Sequence, residues 1–283
     1  MPAVRTGVPI WQIAALAGLV LWLYWSILGR LVDQWWHNPN FSHGFFVPLF
    51  SAYVIWHKRD RLARLPLQPS WSGFVVIALG LFVLILGQMG AELYLSRSSL
   101  LLVVAGLTIV YFGWNHLRAA LFPWAFLFLM IPIPAIIFNE ITFPLQLFTS
   151  RVAAPALSLL GVPVLREGNV MNLASIQLEV AEACSGIRSL MSLVTIAIIY
   201  AYLLEQRTWV RWLLAIASVP IAVIANGVRI VGTGLMAQYW DPEKAEGYFH
   251  ASWGLIIWII SLVLFYGLHC LINLLWPDRS TSS

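Results

Sequence analysis

Three residues in the second half of the chain, Cys184, Arg229 and His250, are of the types that together perform acyl transfer. A thiolate attacks a carbonyl carbon, a guanidinium balances the charge on the resulting oxyanion, and an imidazole protonates the departing amine. That chemistry leaves a thioester on the cysteine. Cys184 stands in Ala181-Glu182-Ala183-Cys184-Ser185-Gly186-Ile187-Arg188, where polar chain enters an apolar helix. Unpaired backbone N–H groups and the positive helix end there favour thiolate. Glu179 and Glu182 act against it by like-charge repulsion, and Arg188, one turn along, opposes them. The plain alternative is a structural thiol. Arg229, in Asn226-Gly227-Val228-Arg229, lies inside an apolar stretch seven positions before its end at Met236. An arginine within a membrane span costs at least about 2.5 kcal/mol on insertion scales, which makes it a functional candidate. Its alternatives are snorkelling to headgroups or pairing with an acidic loop residue. His250, in Glu246-Gly247-Tyr248-Phe249-His250-Ala251-Ser252-Trp253, opens the last apolar helix and taken alone is an ordinary boundary residue.

These residues need elements to hold them, and the composition says which kind. Of 283 residues 60% are hydrophobic and only 10% charged, against about 45–50% and 25% in an average soluble domain. Mean hydropathy is +0.83. The chain therefore reads as an all-α polytopic membrane protein of about eight transmembrane helices. Expected spans are Pro9–Gly29, Phe45–Trp56, Gly73–Met89, Ser98–Trp114, Leu121–Phe138, Ile187–Leu204, Val210–Met236 and Trp253–Trp276. Fifteen Trp and nine Tyr suit interfacial belts. The N-terminal helix has no cleavage site after a short apolar run and is expected to be retained. A net charge of +4 does not point to nucleic acid, because the basic residues form no single soluble face.

Those basic residues assign sides instead. With the N-terminus inside, inner segments carry Arg5, Lys58, Arg59, Arg61, Arg64, Arg118, Arg207, Arg211 and Arg279, nine of sixteen. Outer segments carry five, Arg30, Arg97, Arg151, Arg166 and Lys244, and Arg188 and Arg229 lie in helices. The positive-inside rule puts both termini in the cytoplasm. Cys184, Arg229 and His250 then share the outer level of the bilayer. Residues 139–183 form the longest outer connection within a single domain spanning 1–283. Its first half, broken by Pro144 and Pro155, reads as an interfacial amphipathic segment. Its second half, with a Glu167-Gly168-Asn169 turn and the alternation Ile176–Val180, reads as a small β-hairpin or meander.

Cys270, deep in the last helix, is too far from Cys184 for a disulfide. One cysteine and scattered histidines make no zinc set, and no other cofactor is expected. The rival class is a transporter or channel using the intramembrane arginine. Against it stand the absence of an inverted repeat and of acidic residues deep within the helices.

The segments Ala183-Cys184-Ser185-Gly186, Asn226-Gly227-Val228-Arg229 and Tyr248-Phe249-His250, in this order near outer helix ends, resemble those of exosortases. Ser42-His43-Gly44-Phe45-Phe46-Val47-Pro48, followed by Trp56 and a basic cluster, is a further similar segment, and the resemblance covers nearly the whole chain. Exosortases are membrane-embedded transpeptidases associated with PEP-CTERM sorting in Gram-negative bacteria. Archaeosortases resemble this pattern but carry Arg at the third position, so His250 favours the bacterial branch. The resemblance assigns the catalytic Cys, Arg and His to Cys184, Arg229 and His250. It implies an inner-membrane enzyme whose site faces the periplasm and whose partners are exported proteins with a tripartite C-terminal tail: a Pro-Glu-Pro-type motif, an apolar helix and basic residues. Arg188 or Arg166 could then bind the substrate glutamate, with charge balance against Glu182 or Glu167 as the alternative. Asn226 could orient Arg229 or bond a helix carbonyl, and His43 could approach the site or simply sit at the interface. Lipid surrounds the protein, and its oligomeric state is not encoded legibly.

Overall fold

A computed structural model of the chain describes residues 10–174, 176–180, 186–239 and 248–277, with 10, 186–189 and 248–253 described by their backbone alone. The fold divides into two compact units, Met1–Pro134 and Ala135–Ser283.

The first unit begins with α1 (Ile10–His37), followed by a 3-10 turn at Pro39–Phe45 and α2 (Phe46–His57). The basic cluster after α2 lies on a short helix without buried residues, α3 (Arg59–Arg64), and Arg59 stacks on Trp56 at 4.5 Å. A helical hairpin follows, α4 (Ser72–Met89) and α5 (Leu93–Tyr111). Its helices approach closely because Gly73 and Gly106 face each other; a Cβ on Gly73 would fall 2.6 Å from the Gly106 carbonyl oxygen. Tyr24 of α1 ties to this hairpin through its hydroxyl, 2.9 Å from Ser99 Oγ, amid Ile27, Leu84 and Val103. The unit ends with α6 (Trp114–Ala119), α7 (Leu121–Phe126) and a 3-10 turn at Leu127–Met130.

The second unit begins with α8 (Ala135–Leu159), a single helix that contains Pro144 and Pro155. The expected broken segment is thus continuous. Within it the Thr149 and Ser158 hydroxyls donate to the Leu145 and Ala154 carbonyls four residues back, at 2.7 and 3.1 Å. An antiparallel meander follows in the order β1 (Val164–Glu167), β2 (Val170–Leu173), β3 (Gln177–Glu179). Glu167 pairs with Val170 across a Gly168-Asn169 turn, as the sequence pattern indicated. Three long helices complete the unit: α9 (Gly186–Leu204), α10 (Thr208–Tyr239) and α11 (Tyr248–Leu275).

This is an all-α polytopic membrane fold with one small sheet. Among the described residues five helices, α1, α4, α5, α10 and α11, are individually long and apolar enough to cross a membrane, and Leu121–Met130 with Ala135–Leu159 would make a sixth as a broken span. The other two expected spans correspond to shorter elements, the 12-residue α2 and the apolar stretch Leu190–Leu204 of α9. Helix ends run further than hydropathy suggests. Glu92 caps α5 by accepting from the Leu95 N–H at 2.7 Å, so the helix starts at Leu93 and takes in Arg97, which is buried rather than in a connection.

Candidate active site

Arg229 sits in the second half of α10 and is 4% exposed. Its neighbours in sequence explain why the helix is fixed at this level. Ile230 joins Ala153, Ala154 and Leu157 of α8, and Met171, Leu178 and Val180 from the sheet region, in one buried cluster. One turn on, the Thr233 hydroxyl donates to the Arg229 carbonyl at 3.0 Å. The sheet and α8 thus clamp one side of α10. Beside Arg229 on that helix, Gly227 and Val228 border an apolar groove of about 610 Å³ shared with Thr149, Val152 and Ala153 of α8.

The guanidinium points the other way, onto α11. A Cβ placed on Gly254 would lie 3.2 Å from Arg229 Cζ, 3.3 Å from Nη2 and 3.5 Å from Nη1. Gly254 follows His250 by four residues, so both occupy one face of α11. Arg229 therefore meets α11 one turn from His250, whose side chain is outside the described residues, as is the whole of Cys184. The chain is described up to Val180, which is fully buried with its N–H donating to the Asn169 carbonyl at 2.9 Å, and again from Gly186, where α9 begins.

The remaining expected residues scatter. Asn226 is half-buried on α10, one turn before Arg229. Arg188 is the third residue of α9, described by backbone alone. Arg166 is exposed on β1 and its Nη1 donates to the Gly168 carbonyl at 2.7 Å, while Glu167 accepts from Asn172 at 3.4 Å. The guanidinium thus braces the turn rather than pairing with its neighbouring carboxylate. His43 belongs to the first unit, buried in the 3-10 turn before α2 rather than lying at an open interface. Burial pushes its imidazole below the ordinary value, with the Leu129 and Asn40 carbonyls acting in the opposite sense. Among the described residues no group of three or more His, Cys, Asp or Glu could hold a metal ion. Cys270 is exposed on α11.

Sequence reasoning missed a polar cluster at the other end of α9, α10 and α11. Glu205, in the α9–α10 connection, is 5% exposed. It receives Arg207 Nη2 at 2.8 Å, Nε at 3.0 Å and the Arg207 N–H at 2.8 Å. His269 Nε2 lies 3.3 Å from Glu205 Oε2, and His269 Nδ1 and the Tyr200 hydroxyl share a 2.7 Å hydrogen bond. Arg207 also reaches the Asn273 side chain and the Trp276 carbonyl. The Arg207 side chain, more than burial can counter, holds the Glu205 carboxyl down at about 2. The signal lies in pairings 64 to 69 residues apart, which local pattern does not reveal. The cluster also orders the helices: it joins the end of α9, the start of α10 and the end of α11, so the starts of α9 and α11 share the opposite end with the last turns of α10.

No curated protein and no solved structure matches the sequence. A sequence profile of the family described as transmembrane exosortase matches residues 35–267, which take in Arg229, Gly254 and the segments around positions 184 and 250. With that match across more than half of its length, the chain belongs to the transmembrane exosortase family.

Proposed function

We propose that this protein is a membrane-embedded cysteine transpeptidase or protease that removes the C-terminal sorting tail of exported proteins. Family membership supports a membrane enzyme that processes sorting signals. The finer reading adds the motif, the mechanism and the orientation. The observation that carries it is the seating of a buried guanidinium, Arg229, against α11 one turn from His250.

In this reading the Cys184 thiolate attacks the scissile carbonyl carbon, forming the C–S bond and an oxyanion. The Arg229 guanidinium stabilises that charge, which develops only on the way to the tetrahedral intermediate. Collapse breaks the C–N bond as protonated His250 gives its proton to the leaving amine, releasing the apolar tail. A thioester remains. Water or an amine then attacks it, His250 takes the nucleophile's proton, and the thiolate is regenerated. The substrate presents a Pro-Glu-Pro-type motif, an apolar helix and a basic tail. Arg188, or the donors of Arg166 that the Gly168 carbonyl leaves unused, hold the motif's glutamate by a charge-assisted hydrogen bond. Asn226, one turn from Arg229, orients it. The single 1–283 domain lies in the cytoplasmic membrane with both termini inside, the 139–183 insertion and the site facing the periplasm.

In cells producing a tailed substrate, Cys184→Ala, Arg229→Ala and His250→Ala each leave the tail uncleaved while the enzyme remains in the membrane. Normal processing by Cys184→Ala ends the proposal. A membrane-impermeant maleimide applied from outside labels Cys184 and spares Cys270; labelling of Cys184 from the cytoplasmic side alone inverts the topology.

A further inference from the structure

We infer that Gly254 is a positioning residue whose missing side chain makes the seat on which the Arg229 guanidinium is held, one turn from His250. This rests on the reading of Arg229 as the oxyanion-stabilising group. The three guanidinium atoms Cζ, Nη2 and Nη1 lie 3.2, 3.3 and 3.5 Å from where a Cβ would stand. The guanidinium therefore occupies the space that a side chain at position 254 would take. By contrast, Gly18, Gly29 and Gly267, also on membrane helices, have nothing within 4 Å of a virtual Cβ. Gly254 also differs from Gly234, whose virtual Cβ meets Leu157 and Leu173, an apolar packing contact.

The consequence is steric and graded. Alanine needs the guanidinium to yield by a few tenths of an ångström. Valine, with two more carbons on the same face, displaces it by an ångström or more. A misplacement of about 1 Å in a catalytic constellation costs on the order of 10²-fold in rate. Gly254→Ala is thus expected to lower the saturated cleavage rate several-fold and Gly254→Val about 100-fold. The substrate concentration giving half-maximal rate stays nearly constant, because the affected interaction forms in the transition state. Folding is not the cause of the loss in Gly254→Ala, since alanine is the better helix former.

The test uses the full chain reconstituted in lipid vesicles with a test protein bearing a Pro-Glu-Pro motif, an apolar helix and a basic tail. Gly254→Ala, Gly254→Val, Arg229→Lys and the double variants of Arg229→Lys with each glycine change are compared. The slimmer ammonium of lysine does not fill the seat, so each Gly254 change costs markedly less in the Arg229→Lys background than in the unsubstituted enzyme. Equal costs in both backgrounds, or an undiminished rate in Gly254→Ala and Gly254→Val, overturn the seat. If Gly254→Val fails to fold, the Gly254→Ala pair decides alone. Arg229→Ala run in parallel separates the two layers: full activity there removes the catalytic reading, whereas an inactive Arg229→Ala beside an unaffected Gly254→Val removes only the seat.

Discussion

The two ends of the α9–α10–α11 group each hold a buried charged residue, in different settings. At one end Glu205 is enclosed by Arg207, His269 and the α9–α10 backbone, so charge is met by charge and every partner comes from the chain itself. At the other, the Arg229 guanidinium lies over a glycine of α11, in space that a side chain there would fill. The first arrangement is closed and holds helix ends together. The second sets a cationic group at a chosen position, which is what an oxyanion demands. Perturbing the first end is therefore expected to register in stability, and perturbing the second in turnover.

Glu205→Ala is the largest expected breach of that contrast. It leaves the Arg207 side chain, only 17% exposed, without its carboxylate. Removing one partner of a buried pair costs about 3–5 kcal/mol. Thermal denaturation of the purified protein in detergent should show that loss, while tail cleavage per folded molecule is retained. Acid reaches the same pair. The unfolded glutamate takes up its proton near 4.5 and the folded one at about 2. Between those values the unfolded state binds more protons, so stability falls as pH falls; the contribution is complete above 4.5 and is lost as pH drops through about 2. A melting temperature flat from pH 5 to 3 would mean that the pair does not hold this end.

Arg229→Lys comes next and probes the other end. Lysine keeps the charge and discards the planar fork. Loss of one oxyanion donor lowers the saturated rate by about 10²–10³-fold. The melting temperature should move far less than in Glu205→Ala. If instead Arg229→Lys unfolds the protein with cleavage per folded molecule unchanged, both ends are structural and the contrast collapses.

How much of this could be read from sequence follows from how local each signal is. α10 and α11 were legible because each is a long and mostly apolar run, and the meander because alternation and a Gly-Asn turn lie within a dozen residues of each other. α8 was not, since Pro144 and Pro155 read as breaks although one helix runs through both. Arg229 stood out as a charge in an apolar run. Gly254 did not, being one of 19 glycines and distinguished only by what α10 lays against it. Glu205 and His269 escaped for the same reason, because their meaning lies in a contact between distant segments.

The smallest effect concerns His43, which sequence alone allowed either at the substrate site or at an ordinary interface. In the first unit it is 6% exposed, and burial lowers its affinity for protons. The unfolded imidazole titrates near 6.5 and the folded one below it, so at acid pH the unfolded state binds the extra proton. Stability from this residue is whole above about pH 6.5 and declines as pH falls, by at most about 1.4 kcal/mol per pH unit. His43→Gln should remove that increment of acid sensitivity from the difference between variant and unsubstituted melting curves, leaving the half-saturating concentration of the tailed substrate unchanged. A residue that held substrate would do the reverse: the melting difference would stay flat with pH while substrate binding weakened. That outcome would place His43 with the turnover end of the molecule and remove it from the packing of the 3-10 turn.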